Sequence, residues 1–384
     1  MGMMNETAIY LDHAASAPLR PEAREAMLPF LEGRYGNPSS AHRFGREARA
    51  ALEDARARLA RVIGAAPAEI VFTRAGTEAD ALAILGRARM EPGRPVAVSA
   101  IEHKAVLASA HAAEDVAVET IILPVDGGGV VEMDAVDAAV SRHPSVVSVM
   151  WANNEVGALQ PVAEIGDRCR REGIIFHSDA VQALGKVPVR VDEVEVDLVA
   201  FSAHKVGGPK GIGALYVRRG TKLRPLLFGG GQERGLRPGT EDVAGAAGFA
   251  AAAETAEAHR EAAMARIGAL RDRLEAGLRE RVPGLVVNAA AAPRLPTLTN
   301  LSVPGADPEA LLIALDLEGI AASSGSACSS GAVEPSHVLT AMGIPPELAG
   351  PSVRLSLGWT TTEAEIERVL DVFPRVAARV RAPG

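Results

Sequence analysis

The sequence predicts an α/β protein in which a mostly parallel sheet is covered by helices on both faces and is followed by a smaller α+β domain. Three observations carry this reading. Between residues 69 and 218, short β-branched runs alternate with helical patterns, and such alternation implies βαβ crossovers. An alanine-rich stretch from Glu241 to about Arg281 then runs without a proline until Pro283, as one long helix or two abutting ones leaving the large domain. Finally, 384 residues exceed what a single hydrophobic core normally serves, so two domains are expected.

In chain order, "EIVFT" precedes the helical "TEADALAILGRA", "PVAVS" precedes "KAVLASAHAAE", "VETIILPV" precedes "MDAVDAAV", and "SVVSVMWA" precedes "PVAEIGDRCRREG". The runs "GIIFHSDA", "VDLVAFSAHK" and "GALYVRR" follow, for seven expected strands in all. Beyond the long helical stretch, "LVVNA", "TNLSVPG" and "SVRLSLG" read as strands, while "PEALLIALDLEG" and "TEAEIERVLDVFPRVAARV" read as helices.

Composition narrows the class. With 48% hydrophobic and 23% charged residues the chain reads as soluble and globular, and its net charge of −8 argues against a broad phosphate-tracking surface, so no direct nucleic-acid binding is expected. Two cysteines are too few for a disulfide framework, no Cys/His spacing resembles a zinc site, and no apolar run is long enough for a membrane span. No metal is therefore expected, and a reducing cytoplasm is the expected compartment.

Several strand ends carry chemistry. The segment "DLVAFSAHKVGGPKG" delivers Ser202, His204 and Lys205 to the carboxyl edge of the sheet, where open α/β folds bind ligands. A lysine there can form a Schiff base if its pKa is lowered, or it is simply a surface lysine after a strand. In "IIFHSDAVQALGK", Asp179 and Gln182 reach the same edge. A carboxylate there can keep a pyridine nitrogen protonated, or it caps the following helix. Gly76 and Thr77 open a helix whose N–H groups suit a phosphate, with Thr77 as a plain cap the alternative. No dinucleotide fingerprint or Walker loop is present, which lowers the prior for nicotinamide or ATP chemistry. His103 and Asn154 also follow strands, as cofactor contacts or as ordinary turn residues. Arg354 on a small-domain strand suits a substrate carboxylate or a structural ion pair, and Asn37 in "YGNPSSAH" either joins the pocket or shapes its turn.

The two cysteines differ. Cys169 shares an apolar helical stripe with Val162 and Ile165 and reads as inert core. Cys328, in "SSGSACSSGAVEPSH", lies among glycines and serines with almost nothing apolar to pack against, either by accident or in order to move and react.

Segments spread over nearly the whole chain, among them "YLDHAASAP", "VMWANNEVGALQP", "SAHKVGGPKGIGALYVR", "GGGQERGLRPGTEDV" and "VRLSLGWTTTEAEI", resemble, in family order, the NifS/IscS-like cysteine desulfurases of the class V aminotransferase group. The resemblance implies a fold type I pyridoxal 5'-phosphate (PLP)-dependent transferase. Its large cofactor-binding domain would span residues 15–257, and its small domain residues 1–14 and 258–384. It implies Lys205 as the Schiff base lysine and α-proton base, Asp179 at the pyridine nitrogen, and His103 stacked on the ring and shuttling a proton. Asn154 and Gln182 would bond the cofactor, with Gly76, Thr77, Ser202 and His204 around its phosphate. Thr240 would reach the phosphate of a neighbouring subunit, implying a homodimer with shared sites. Asn37, Asn154 and Arg354 would bind the substrate L-cysteine, and Cys328 would take its sulfur as a persulfide, leaving alanine. A sulfur acceptor or scaffold protein would follow, in iron–sulfur cluster assembly or tRNA thiolation. Selenocysteine lyase or another class V PLP reaction is the alternative. Arg74 and Ala75 stand where such proteins commonly have serine and glycine, and His13, Pro238 and Trp359 also depart from the usual pattern.

Overall fold

The computed structural model describes residues 8–116, 119–324 and 335–381. A short strand β1 (Ile9–Tyr10) precedes helices α1 (Pro21–Glu32) and α2 (Arg43–Ile63), for which no element was expected. The long helix α2 buries Ala48, Leu52, Ala55, Leu59 and Ile63 on one face and ends where Gly64, at φ 73°, takes the left-handed conformation that closes the helix.

The sheet then forms as expected from β2 (Ile70–Thr73), β3 (Val96–Ser99), β4 (Thr120–Leu123), β5 (Val146–Ser148), β6 (Phe176–Asp179), β7 (Leu198–Ser202) and β8 (Gly213–Val217). Their order is β2-β8-β7-β6-β5-β3-β4. The pairs from β4 to β7 are all parallel, whereas β8 runs antiparallel between β7 and β2. The crossover helices α3 (Gly76–Ala88), α4 (Lys104–Ala113), α5 (Met133–Val140) and α6 (Val162–Arg171) also fall where expected. Because β3, β5 and β7 are wholly buried, they read as near-continuous apolar runs rather than alternating ones, whereas the equally buried β6 carries His177, Ser178 and Asp179.

The alanine-rich stretch is two abutting helices, α7 (Val243–Ala258) and α8 (Arg260–Arg281), with His259 between them. Small side chains let α7 lie against α1 and α2. A Cβ on Gly248 would stand 2.7 Å from Met27, so glycine is needed for this approach. Beyond α8 come β9 (Val286–Val287), β10 (Leu298–Ser302), α9 (Pro308–Leu317), β11 (Ile320–Ala321), α10 (His337–Ala341), α11 (Pro346–Ala349), β12 (Ser352–Ser356) and α12 (Glu363–Arg379). Strands β12, β10 and β9 form an antiparallel sheet, and β1 pairs in parallel with β11. Two apolar cores result. One surrounds the seven-stranded sheet and includes Phe176, Phe201 and Phe249. The other joins Ile9 and Leu11 to Leu270, Leu274, Leu301, Val353 and Phe373.

Candidate active site

Parallel strands point their carboxyl ends one way, so the segments after β2, β3, β5, β6 and β7 meet along one edge. There they enclose a cavity of about 350 Å³ whose wall includes Gly76, Thr77, His103, Asn154, Asp179, Gln182, Ser202, His204, Lys205 and Arg354. Ten expected residues, scattered over the sequence, thus share one site. Asn37 and Thr240 are not on this wall. Asn37 is exposed and its Oδ1 accepts the Ser39 N–H at 2.8 Å, the turn-shaping reading, and Thr240 is exposed on the segment before α7. Cys328 lies outside the described residues.

Asp179, the last residue of β6, is buried and accepts the Val181 N–H at 2.8 Å. Burial pushes its carboxyl above the usual range, opposed by the fields of His103 and Lys205. His103 caps α4 by accepting the Ala105 N–H at 3.1 Å, and desolvation lowers its pKa. The Lys205 Nζ donates to the carbonyls of Ala14 and Ala15 at 2.7 and 2.9 Å. Burial and then the Arg354 cation lower its pKa to about 8, so a useful fraction of neutral amine exists at neutral pH. Gln182 donates to the same Ala14 carbonyl at 2.8 Å.

Arg354 sits on β12 between the fully buried Val353 and Leu355 and is itself buried. Its Nη2 donates to Asp12 Oδ1 at 2.7 Å and its Nη1 to the Asn154 carbonyl at 2.9 Å, while its Nε has no partner among the described residues. The arginine therefore makes a structural ion pair and also lines the cavity. The Asn153–Asn154 pair divides its labour. The Asn153 side chain is consumed by the Glu155 and Val156 N–H groups and the Ile101 carbonyl, which leaves Asn154 facing the cavity.

At the start of α3, the Ala75 side chain caps nothing, and the N–H groups of Gly76 and Thr77 have no partner among the described residues. These donors and the positive helix end suit an anion. A Cβ on Gly76 would stand 2.8 Å from Val181, so backbone rather than side chain forms this corner. Arg74 points away: its N–H meets Glu78 at 2.5 Å and its guanidinium lies 3.8 Å from Asp242.

Residues without an expected role complete the site. Beside Asp179 lie the buried carboxyls Asp80 and Glu102, and burial together with Asp179 raises both, Glu102 to about 8. His177, two residues before Asp179 and so on the same face of β6, bonds Ser148 Oγ at 2.8 Å and has Nε2 3.6 Å from Asp80. Burial holds it neutral, with its pKa lowered to about 3. Ser323 exchanges backbone hydrogen bonds with Arg354 at 2.6 and 3.2 Å, Ser336 Oγ donates to the buried Glu155, and His337 Nε2 lies 3.0 Å from the Glu102 carbonyl oxygen. Both flanks of the segment that carries Cys328 are therefore fixed at the cavity. Asp12 and Glu102 stood beside residues already singled out, yet nothing local in the sequence marked them. Cys169 is wholly buried on α6, and burial pushes its thiol up to about 12, the inert state expected for core.

This arrangement can hold an anion at one end and a protonated nitrogen heterocycle at the buried carboxylate, with a depressed lysine amine between. The chain belongs to the class V aminotransferase family, whose profile matches residues 9–369, and within it to the IscS- and NifS-like group. It is 45% identical over 375 residues to the cysteine desulfurase IscS of Dictyoglomus turgidum, covering 97% of this chain and 95% of that one. A solved NifS-like protein superposes with a TM-score of 0.89 at 35% identity, covering 97% of this chain and all of that one. The structure of SspA in complex with cysteine superposes with a TM-score of 0.80 at 34% identity, covering 91% of this chain and 98% of that one.

Proposed function

We propose that the chain is a PLP-dependent cysteine desulfurase, which moves the sulfur of L-cysteine onto Cys328 and releases L-alanine. The observation that carries this is the convergence of Lys205, Asp179, His103 and Arg354 on one cavity, in a chain closely similar to cysteine desulfurases. The residues present fit the cofactor. The unpartnered N–H groups of Gly76 and Thr77, with Thr77, Ser202 and His204, offer a phosphate site, while Asp179 offers a buried carboxyl whose ionised form a cationic ring nitrogen would favour against the burial that raises its pKa. His103, Asn154 and Gln182 would contact the ring system. When bound, PLP supplies the sink for the electron pair left at the substrate α-carbon.

The chain's own residues do the rest. Lys205 would hold the cofactor through its amine, and the same amine, when free and neutral, is placed to take the substrate α-proton. Arg354, preset by Asp12 and the Asn154 carbonyl, receives the substrate carboxylate on the terminal N–H groups those bonds leave free, and Asn154 assists. The Cys328 thiolate attacks the substrate sulfur, forming the S–S bond as the substrate Cβ–S bond breaks. The pair released stays with the three-carbon fragment, which gains a proton and leaves as alanine. His103, neutral through desolvation and with Nδ1 engaged by the Ala105 N–H, carries its proton on Nε2 and is suited to shuttle that proton between thiol and substrate. L-cysteine plus enzyme thiol thus gives alanine plus enzyme persulfide, which passes to an acceptor protein for iron–sulfur cluster assembly or tRNA thiolation.

The second core, which joins Ile9 and Leu11 to residues from Ile267 onward, supports a division into a large domain, 15–257, and a small domain built from 1–14 and 258–384. Exposed Leu31, Tyr35, Phe44 and Phe228 support a homodimer in which Thr240, and with it Asn37, reaches the neighbouring site. No helix among the described residues is long and apolar enough to cross a membrane. A reducing cytoplasm suits a free catalytic thiol.

Incubation with L-cysteine and a reductant is expected to yield alanine and sulfide in equal amounts. Alanine without sulfide, or neither product, overturns the reading. Cys328→Ala is expected to abolish sulfide release and the protein-bound extra sulfur seen by mass spectrometry, a loss of at least about 10³-fold, while the cofactor absorbance persists.

A further inference from the structure

We propose that a second cavity, on the other side of Lys205 from the active site, binds a small organic carboxylate with an apolar body. The cavity has a volume of about 380 Å³, within the range of small-molecule sites. It lies between the N-terminal segment, the α7–α8 junction and the turn after β12, and its polar wall includes His13, Arg20, Lys186, His259, Arg266 and Trp359, with Lys205 shared. No aspartate or glutamate lines it.

None of these basic side chains makes an ion pair among the described residues, although buried arginines elsewhere do, as Arg354 does with Asp12 and Arg294 with Glu275. Their hydrogen bonds go to neutral acceptors. Arg20 Nε donates to the Val206 carbonyl at 3.0 Å, Arg266 to the carbonyls of Thr361 and Trp359 at 2.6 and 3.1 Å, and Lys186 to Gln182 Oε1 at 2.7 Å. The terminal nitrogens of Arg20 have no partner among the described residues, and Glu22 acts on that guanidinium only through its field. Two ring nitrogens in the wall, His13 Nδ1 and Trp359 Nε1, are buried and also unpartnered among the described residues. His13 is 4% exposed and held in place by Gly358, where a Cβ would stand 2.0 Å from Nδ1.

Arg266 and His259 are exposed, but Arg20 and Lys186 are half-buried without a carboxylate partner, which is costly, and burial lowers Lys186 to about 7 and depresses Arg20. A carboxylate would neutralise this cluster through charge-assisted hydrogen bonds. The Trp359 ring, with the Arg20 guanidinium 5.1 Å from its centroid, and the side chains of Ile267 and Leu357 supply apolar wall that a bare inorganic anion would leave unused.

Calorimetric titration of the holoenzyme with benzoate tests this, with Trp359 emission followed in parallel. Saturable binding is expected, quenching the emission and weakened more than about tenfold by Arg20→Gln and by Arg266→Gln. Should those variants fail to fold, Ala263→Phe, which fills the cavity from α8, is expected to abolish binding. The proposal is overturned by an absence of saturable heat, by affinity unchanged in these variants, by equal affinity for inorganic phosphate, or by displacement of benzoate by L-alanine, which would place it in the active site. Turnover is not the readout, so failure here leaves the desulfurase reading intact.

Discussion

Lys205→Ala is expected to lower alanine formation from L-cysteine by on the order of 10⁴-fold, because one side chain is asked both to bind the cofactor and to carry the α-proton. The site is built around the state of its amine. Nζ is held by the Ala14 and Ala15 carbonyls at 2.7 and 2.9 Å, and burial with the Arg354 cation brings its pKa down to about 8. An amine acts as a base only when neutral. The step it serves should therefore quicken as pH rises through about 8 and level off above it, with the ammonium form inactive. Lys205→Arg is expected to rescue nothing, since a guanidinium keeps the charge but cannot give up its proton at these pH values. Single-turnover alanine release followed from pH 6 to 10 would check both points. A rate that falls across that window, or substantial turnover in the arginine variant, would put the base elsewhere.

Much of this site was legible because parallel sheets impose a simple rule: a chemical residue directly after a buried apolar run arrives at the ligand-binding edge. Asp179, Lys205, His103 and Asn154 all followed such runs, and the strands were recognisable because both faces are buried. What depends on distant partners was not legible. The carbonyls that position Lys205 come from Ala14 and Ala15, about 190 residues away, and alanine carries no side-chain signal for a backbone contact. The antiparallel setting of β8 rests on pairing with β7 and β2, which no local pattern encodes. Helix α2 escaped notice because alanines make up much of its buried face and its solvent side is crowded with arginines. Strands β1 and β11 are two residues each, too short for any periodicity. His177 and Asp80 were hidden for a different reason, since a buried polar residue inside an apolar stretch reads as noise until its partner across the fold is seen.

The largest effect on stability is expected at Glu233, far from any bond-making atom. Its carboxylate holds both terminal nitrogens of Arg56 at 2.7 Å, and the same Oε2 accepts the Phe72 N–H at 2.8 Å. Arg56 in turn donates to the Ile70 carbonyl at 2.9 Å and stands 4.9 Å from the centroid of the Phe72 ring. Both residues are buried, at 3% and 6% exposure, so water cannot replace a lost partner. Removing Glu233 leaves Arg56 only the carboxylate of Glu53, half exposed and 3.3 Å from its Nε, and Glu233→Ala should cost roughly 3 kcal/mol, read as a lower urea midpoint. Removing both is milder. The double variant Arg56→Met with Glu233→Leu is expected to recover most of that loss, because the stranded charge is gone, and a double loss equal to the sum of the singles would refute the coupling. The consequence reaches function through the chain itself. Glu233 ties the segment leading to Thr240 onto α2 and β2, and it does so at φ 45°, a left-handed backbone that glutamate adopts only when surrounding contacts enforce it. If Thr240 serves the neighbouring subunit's phosphate site, the double variant should fold yet bind the cofactor less tightly, so stability and cofactor affinity would separate in one pair of residues.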